Sequence, residues 1–585
     1  MQYNIAPSAS NRTNTSLSHH HLTTIDFNQI LPVQATDCII GDEHHVEISP
    51  FIRLAPLAVP TYGDFRLRLV TFFVPYYQVF PHFDDFYSGI TNKSGKYVGE
   101  LYNLNLTDLF QALGNNTDAQ RINNVAKEDF NKYDYVIRWS EDNSTDIFKN
   151  IAFRLGTRSK AIFKILTIFG YVPNSLSNLH SKQQESLNAL PILCFLKAFN
   201  DWLSLSSFYN NSELSKFLAN PLKANYNFTI DCDKLISILD LYIHPLIGSD
   251  YFTSAYNYAV SSNGVSVDSS LSKGFLESLD TKQQHAVSAT NNSVDLHPKS
   301  DNSLSAFGLR FLQSYDRFVR RNQLSGTRAA QRIYAAFGLK SEDFRSNYAH
   351  IVNQVSIPFN VGDVTATAAN ADPALGLGTY AGQSVASGKY SFDYKCDDFG
   401  LLFTVAFVEV KSQYKAAYTP MVLRKSNLDF YQPDFDGVGF QPVSQAQLFC
   451  NLKYDPEFGY QDINTNKIFG FVPRYEDYRT EVDKVSGDFM LFDSMNSWHF
   501  GREFFGNNAL QTAPPQSNQF QFTGSEFDRI FTKDINDNQT IYDHFFCSFN
   551  IQHNAVRPIK SRAGSVDFQD GHIQIESLGK TVSSM

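Results

Sequence analysis

The run GLLFTVAFVEV from Gly400 to Val410 is an unbroken apolar and β-branched stretch bounded by polar residues. It constrains the fold more than any other segment, because such a strand must sit buried at the centre of a sheet. A second run, FRLRLVTFFVP from Phe65, alternates apolar and basic residues and then becomes wholly apolar. It reads as a strand exposed at one end and buried at the other, closed by Pro75. A third, FFCSFNIQHNAVRP up to Pro558, also reads as extended. Strands gather toward both ends of the 585-residue chain, so they must pair with one another to close the sheets. The expected fold is mainly β: one sandwich of the jelly-roll kind, interrupted by insertions.

The interruptions have their own patterns. Between Glu100 and Trp202, LYNLNLTDLFQALG, KAIFKILTIFG and QESLNALPILCFLKAFNDWL space apolar residues by three and four, as helices do, with Gly114 and Gly170 at expected helix ends. From Tyr256 to Ser305 the chain turns to Ser, Asn, Asp and Gly, and reads either as a surface insertion ordered by neighbours or as a plain loop. Leu309, Leu312 and Val319 mark a helix, and a second runs from about Arg328 to Phe337 with Gly338 as its cap. Strand signals return after Ser391. The resulting division is 1–90 (arm and first strands), 91–204 (helical insertion), 205–255 (return to the core), 256–305 (polar insertion), 306–390 (basic helical segment and loop) and 391–585 (remaining strands and carboxyl-terminal arm).

With 51 Phe and 30 Tyr but only 18% charged residues, the composition suits strands and extensive interfaces better than a charged helical bundle. A net charge of −10 argues against a surface that coats nucleic acid throughout, so any such contact must be local. The longest apolar stretches, from Ala161 and from Pro191, each contain a lysine and fall short of a bilayer span, so no membrane insertion is expected. The amino terminus lacks the apolar core of a secretory signal, which makes folding in a cytoplasm the default. Cys38, Cys194, Cys232, Cys396, Cys450 and Cys547 show no C-x-x-C spacing, which argues against zinc or a disulfide framework and for buried small side chains.

Tests for chemistry return little. His19, His20 and His21 with Asp26 match a cupin-type metal pattern only in part. Gly89 to Lys96 and Gly382 to Lys389 are one residue too long for a phosphate loop, and a tyrosine follows each lysine. Neither G-x-S-x-G nor H-E-x-x-H occurs. No catalytic, cofactor or metal residue is assigned. One basic stretch stands out: Arg310, Arg317, Arg320, Arg321, Arg328, Arg332, Lys340 and Arg345 against Asp316, Glu342 and Asp343. Arg317, Arg320 and Arg321 share a helical face, as do Arg328 and Arg332, which fits phosphate or, equally, a solvated face or ion pairs. A smaller patch is Arg557, Lys560 and Arg562. In RYEDYR from Arg474, strand alternation would place Arg474, Glu476 and Tyr478 on one side and Tyr475, Asp477 and Arg479 on the other. That mixture of aromatic area and charge suits a subunit interface.

RYEDYR, the step Ser497, Trp498 and His499, LSHHHLTT from Leu17 and TFFVP from Thr71 together resemble the microvirus major capsid protein, gokushovirus branch or related gut phages. FNDW from Phe199, DYFTSA from Asp250, GTRAAQRIYAAFG from Gly326, DFYQPDF from Asp429 and VRP at Val556 are similar to family segments in family order. His20 and Ala329 depart from the usual residues, which bears on subfamily rather than function. The resemblance implies a single eight-stranded viral jelly roll (β-sandwich) with large helical and loop insertions. It implies about sixty copies in a T=1 icosahedral shell around circular single-stranded DNA. It further implies a threefold protrusion, for which 256–305 is the candidate. Such a protein would be a virion component assembled in the host bacterial cytoplasm, with other virion proteins and a host surface receptor as partners. A polyanionic genome also calls for inward cations or a small basic viral protein. Arg317, Arg320, Arg321, Arg328 and Arg332 are the candidate DNA or basic-partner contacts. Arg474, Tyr475, Tyr478, Arg479 and Trp498 are the candidate interface, with Tyr475 and Tyr478 as its anchors. The alternative function is a receptor- or carbohydrate-binding jelly roll, spike- or lectin-like, which would form monomers or trimers and no shell.

Overall fold

The computed structural model describes residues 12–559 apart from several stretches, the longest 257–284, 299–313, 366–379, 503–526 and 532–542. Two antiparallel sheets carry the fold. Their strands are β1 (Thr13–Ser16), β2 (His19–Ile25), β3 (Ile30–Cys38), β4 (Glu43–Leu54), β5 (Phe65–Pro75), β6 (His350–Pro358), β7 (Asn360–Thr365), β8 (Tyr380–Ser387), β9 (Tyr390–Lys395), β10 (Gly400–Val410) and β11 (Phe545–Arg557). In the seven-stranded first sheet, β11 pairs with β4; β1 and β2 line the free side of β11, β8 and β9 line that of β4, and β7 pairs with β8. The four-stranded second sheet runs β6-β5-β10-β3. Thr13 lies opposite Arg557 and Ile25 opposite Phe545, so the two ends of the chain are knitted into one sheet.

Each strand's pattern follows from what covers it. β4 and β11 alternate buried and exposed residues along their length, as strands with one wet face do. β10 is buried at every position but Glu409, and β5 alternates before becoming wholly buried, as its sequence predicts. The second sheet needs cover on the face turned away from the first, and a helical layer provides it: α1 (Leu106–Gly114), α2 (Thr157–Ile168), α3 (Leu190–Ala198), α4 (Ser212–Ala219) and α5 (Cys232–Tyr242). α2 packs on β3 and α3 on β5, and the rings of Phe169 and Phe195 approach Phe403 of β10 at 6.4 and 6.3 Å. Asn105 caps α1 by accepting from the Thr107 amide at 2.9 Å, and Pro191 opens α3, where a missing N–H costs nothing.

Several expectations need correction. The helices begin later than the apolar spacing suggests, because Asn103–Asn105 and Ser186–Asn188 pair as strands instead. The insertion also holds a four-stranded sheet of its own, formed by 119–123, 135–140, 149–155 and 178–180. Segment 205–255 contributes helices α4 and α5, whose Leu214, Phe217, Leu235 and Leu239 join the core. Sandwich strands return at His350, well before Ser391, because β6 is a half-exposed edge strand with weak apolar signal. Within 256–305, Tyr256 bridges Phe471 and the other described residues form a hairpin, His285–Thr290 with Ser293–Pro298; 257–284, 291–292 and 299–305 lie outside the described residues. α6 (Ala329–Phe337) ends at Gly338, whose φ of +68° is the left-handed cap expected there. No described helix is long and apolar enough to cross a membrane.

The space between the sheets differs at its two ends. At one, Phe27 meets Phe65, Phe500 and Phe545 edge-on, with centroids 6.1, 6.0 and 5.0 Å away. At the other the interior is polar: Gln34, His44 and His553 are all buried and hydrogen-bonded in series.

Candidate subunit interface

A satellite core outside the sandwich is made by Tyr251, Phe252, Ala255, Tyr414, Val443, Leu448 and Val472. Asp250 shapes its first segment by accepting from the amides of Phe252 and Thr253 at 2.9 and 2.8 Å, and Tyr414 donates to its other oxygen at 2.5 Å. Phe440–Ser444 pairs with Ile468–Pro473, and Pro473 ends that ladder directly before Arg474.

RYEDYR is therefore a turn and not the strand its alternation suggests. Tyr475 adopts a left-handed conformation with φ of +63°, and Glu476–Tyr478 form a single 3₁₀ turn. The Gln441 side chain holds this turn by accepting from the Tyr475 amide at 2.8 Å and donating to Asp477 at 2.8 Å. The turn separates the two tyrosines. Tyr475 is 2% exposed, and its hydroxyl accepts from the Gln432 amide at 3.1 Å; Tyr478 is 45% exposed. Tyr475 thus braces the subunit from within and offers no area to a neighbour, a correction to its expected role as an interface anchor.

Around the turn lies the segment 420–435, which exposes Met421, Val422, Phe430, Tyr431 and Phe435. Tyr431, Tyr475 and Tyr478 cluster with centroids 5.1 to 6.1 Å apart. The Arg424 guanidinium lies 4.0 Å over the Tyr478 ring and pairs with Asp477, while Arg474 lies 5.1 Å over Phe435. Arg479 pairs with Asp436 at 2.6 Å. Asp429 accepts from the amides of Ser426 and Lys425 at 2.7 and 2.8 Å, and those bonds hold its carboxyl below the usual carboxylate range. The apolar area is thus presented by a loop tied down at both ends. Arg424, Tyr431 and Phe435 join this candidate surface, and two of them belong to the DFYQPDF segment.

Trp498 ends a neighbouring 3₁₀ helix, Asp493–Trp498, its ring stacked on exposed Tyr62 at 5.8 Å. His499 is buried and structural: one ring nitrogen meets the Phe489 carbonyl and the other the Gly501 amide, both at 2.9 Å. A cleft of ≈ 380 Å³ lined by Met421, Arg424, Asp477, Val482 and Met490 runs between these loops.

The basic stretch lies elsewhere. Arg317 and Phe318 are helical and exposed, Arg321 lies 6.0 Å over the Phe318 ring, and Arg332 falls within α6. Arg320 and Arg328 lie outside the described residues, as do Lys560 and Arg562. The three histidines of β2 do not converge. His19 turns to the Leu17 carbonyl, His20 to Ser548 and His21 to the Val33 carbonyl, while Asp26 meets His544 at 3.0 Å.

A family model described as capsid protein (F protein) matches residues 4–100 and 247–564, most of the chain. This chain belongs to the microvirus capsid protein family. That family is structural rather than enzymatic. The capsid protein is 19% identical to capsid protein VP1 of Bdellovibrio phage phiMH2K over 542 residues, 85% of this chain and 86% of the relative. It is 23% identical to capsid protein VP1 of Chlamydia phage 1 over 270 residues, 46% and 42% of the two chains. The gap in the family match, 101–246, falls on the segment carrying α1 to α5, while 256–305 lies inside the matched span.

Proposed function

We propose that this capsid protein self-assembles into a T=1 icosahedral shell of about sixty copies around the circular single-stranded DNA genome of a small bacteriophage. Each subunit is read as an eight-stranded viral jelly roll. Counting β1 with β2 and β8 with β9 as one strand position each gives four positions per sheet, with β7 as an extension. Successive positions then fall in the first, second, first, second, second, first, second and first sheet, the alternation that folds two Greek keys into a roll.

The observation that carries self-assembly is the tethered aromatic surface at Phe430, Tyr431, Phe435 and Tyr478 in a member of a capsid family. Exposed apolar area rimmed by Arg and Asp is what a protein contact uses, and holding it rigid beforehand lowers the ordering cost of association. Arg474, Tyr478, Arg479 and Trp498 remain interface residues in this reading. Purified subunits should form closed particles by light scattering and negative-stain microscopy. Phe430→Ser with Tyr478→Ala should leave a soluble, folded subunit that no longer closes shells; normal shells from that variant would refute the assignment.

Many copies at −10 each cannot neutralise a polyanion, so the shell's inner face needs local cations or a small basic viral protein. Arg317, Arg321 and Arg332, with Arg320 and Arg328, are assigned that contact. Finding them on the outer shell surface would reject the assignment. Assembly is placed in the host bacterial cytoplasm, with other virion proteins joining and a host surface receptor engaged from outside.

A further inference from the structure

We propose that Cys38, His44, Cys396 and Asp42 form a structural zinc site that staples the two sheets together at the polar end of the sandwich. Cys38 closes β3 in the second sheet, His44 lies in β4 of the first, and Cys396 follows β9 on the way to β10. The Cys38 and Cys396 sulfurs and a His44 ring nitrogen all lie within 4.8 Å of one another, and the Cys38 Sγ to His44 Nε2 distance is 3.3 Å. Zinc bonds of about 2.0–2.3 Å in a tetrahedron put ligand atoms roughly 3.5 Å apart, so little movement is needed to close on an ion. Two sulfurs and an imidazole select zinc over magnesium or calcium.

The surroundings fit a metal better than bare thiols. All four side chains are buried. Asp42 Oδ2 lies 3.5 Å from His44 Nε2 and accepts from the Ile39 amide at 3.0 Å, while Asp42 Oδ1 has no hydrogen-bond partner among the described residues, which leaves a buried acceptor beside the site for the fourth position. His44 Nδ1 meets His553 Nε2 at 2.9 Å, and the Gln34 amide meets His553 Nδ1 at 2.9 Å. With the Gln34 amide turned so that its oxygen accepts from His553 Nδ1–H, His553 Nε2 accepts from His44 Nδ1–H and the His44 Nε2 lone pair faces the site, the outer histidine taking the orienting role that a carboxylate or carbonyl usually has. Arg557 pairs with Asp42 at 3.2 Å. Two thiolates and one carboxylate then balance a divalent cation and one guanidinium. The ligand-bearing turn is fixed before any ion arrives: the Gly41 amide donates to the Cys396 carbonyl at 2.7 Å and the Cys396 amide to the Asp42 carbonyl at 2.8 Å.

A disulfide between the two cysteines would leave Asp42 Oδ1 and the Nε2 lone pair uncompensated, whereas a neutral Cys38 thiol donates to Nε2 across 3.3 Å but still leaves Asp42 Oδ1 without a donor. The experiment is elemental analysis of the full chain, purified without chelator, together with cobalt substitution. The expected result is about one zinc per chain, falling to below about a tenth of that in Cys38→Ser with Cys396→Ser and unchanged when His19, His20 and His21 become alanine. Cobalt in the wild-type chain should give a sulfur-to-metal charge-transfer band, a readout that survives even where the cysteine variant does not fold. Less than about a tenth of a metal per chain after refolding with zinc would overturn the site. So would a metal whose cobalt form lacks the sulfur band, or a Cys38–Cys396 disulfide found by mass spectrometry.

Discussion

The two sheets of the sandwich bury themselves in different ways. The first is a one-sided sheet: β4 and β11 alternate, and Leu22, Phe51 and Phe546 stand exposed on its outer face. The second is two-sided, with β10 buried almost throughout because α2 and α3 lie across its back. An apolar strand with no wet face needs a third layer, and this chain draws that layer from 101–246, the stretch its family model does not match. The stretch that the family model leaves unmatched is therefore part of the core.

Removing the cover should break the contrast most severely. Replacing 101–246 by a short linker would expose the back of the second sheet, and the expected outcome is an insoluble chain, read as loss of the soluble fraction on expression. Within the intact chain, Phe403→Ala should cost about 3–5 kcal/mol in urea unfolding, since it removes a ring gripped from both sides.

A smaller effect is expected where the first sheet begins and charge replaces packing. Burial, and then the neighbouring Asp26, push the Asp528 carboxyl up to about 6, so the fold prefers it protonated. Its contribution to stability is complete below the ordinary value of 3.8 and lost as pH rises through about 6. Asp528→Asn keeps that position neutral. It should raise stability at pH 7.5 by about 1 kcal/mol, discounted because the side chain is partly solvated and pairs weakly with His544, and the gain should vanish near pH 4. Denaturation midpoints at the two pH values check it. The smallest effect belongs to Phe546→Ala on the one-sided sheet, below about 0.5 kcal/mol by the same urea assay. A loss there equal to that of Phe403 would erase the difference between the sheets.

Much of this architecture is visible in residue patterns. β10, β5 and the pairing of the two chain ends follow from apolar runs, and the helical cover from three-and-four spacing. Edge strands were not visible, because HIVNQVSIP and NVGDVT carry too few apolar residues to stand out from loops. The tyrosines of RYEDYR were misplaced because alternation presumes a strand, while Pro473 just before them marks its end and Tyr475 turns left-handed. The cluster at Cys38 was invisible for a different reason: its members are joined by strand register, Cys38 opposite Gly400, and not by sequence spacing.

The central claim, that identical copies of this tile close into a container through the aromatic loop at 420–435 and the Arg474–Arg479 turn, is tested most directly by electron cryo-microscopy of particles formed by the purified chain. The account predicts a closed shell of uniform size in which Phe430, Tyr431 and Tyr478 lie against a neighbouring copy. Only monomers or trimers, or a shell whose contacts leave those three rings in solvent, would contradict it.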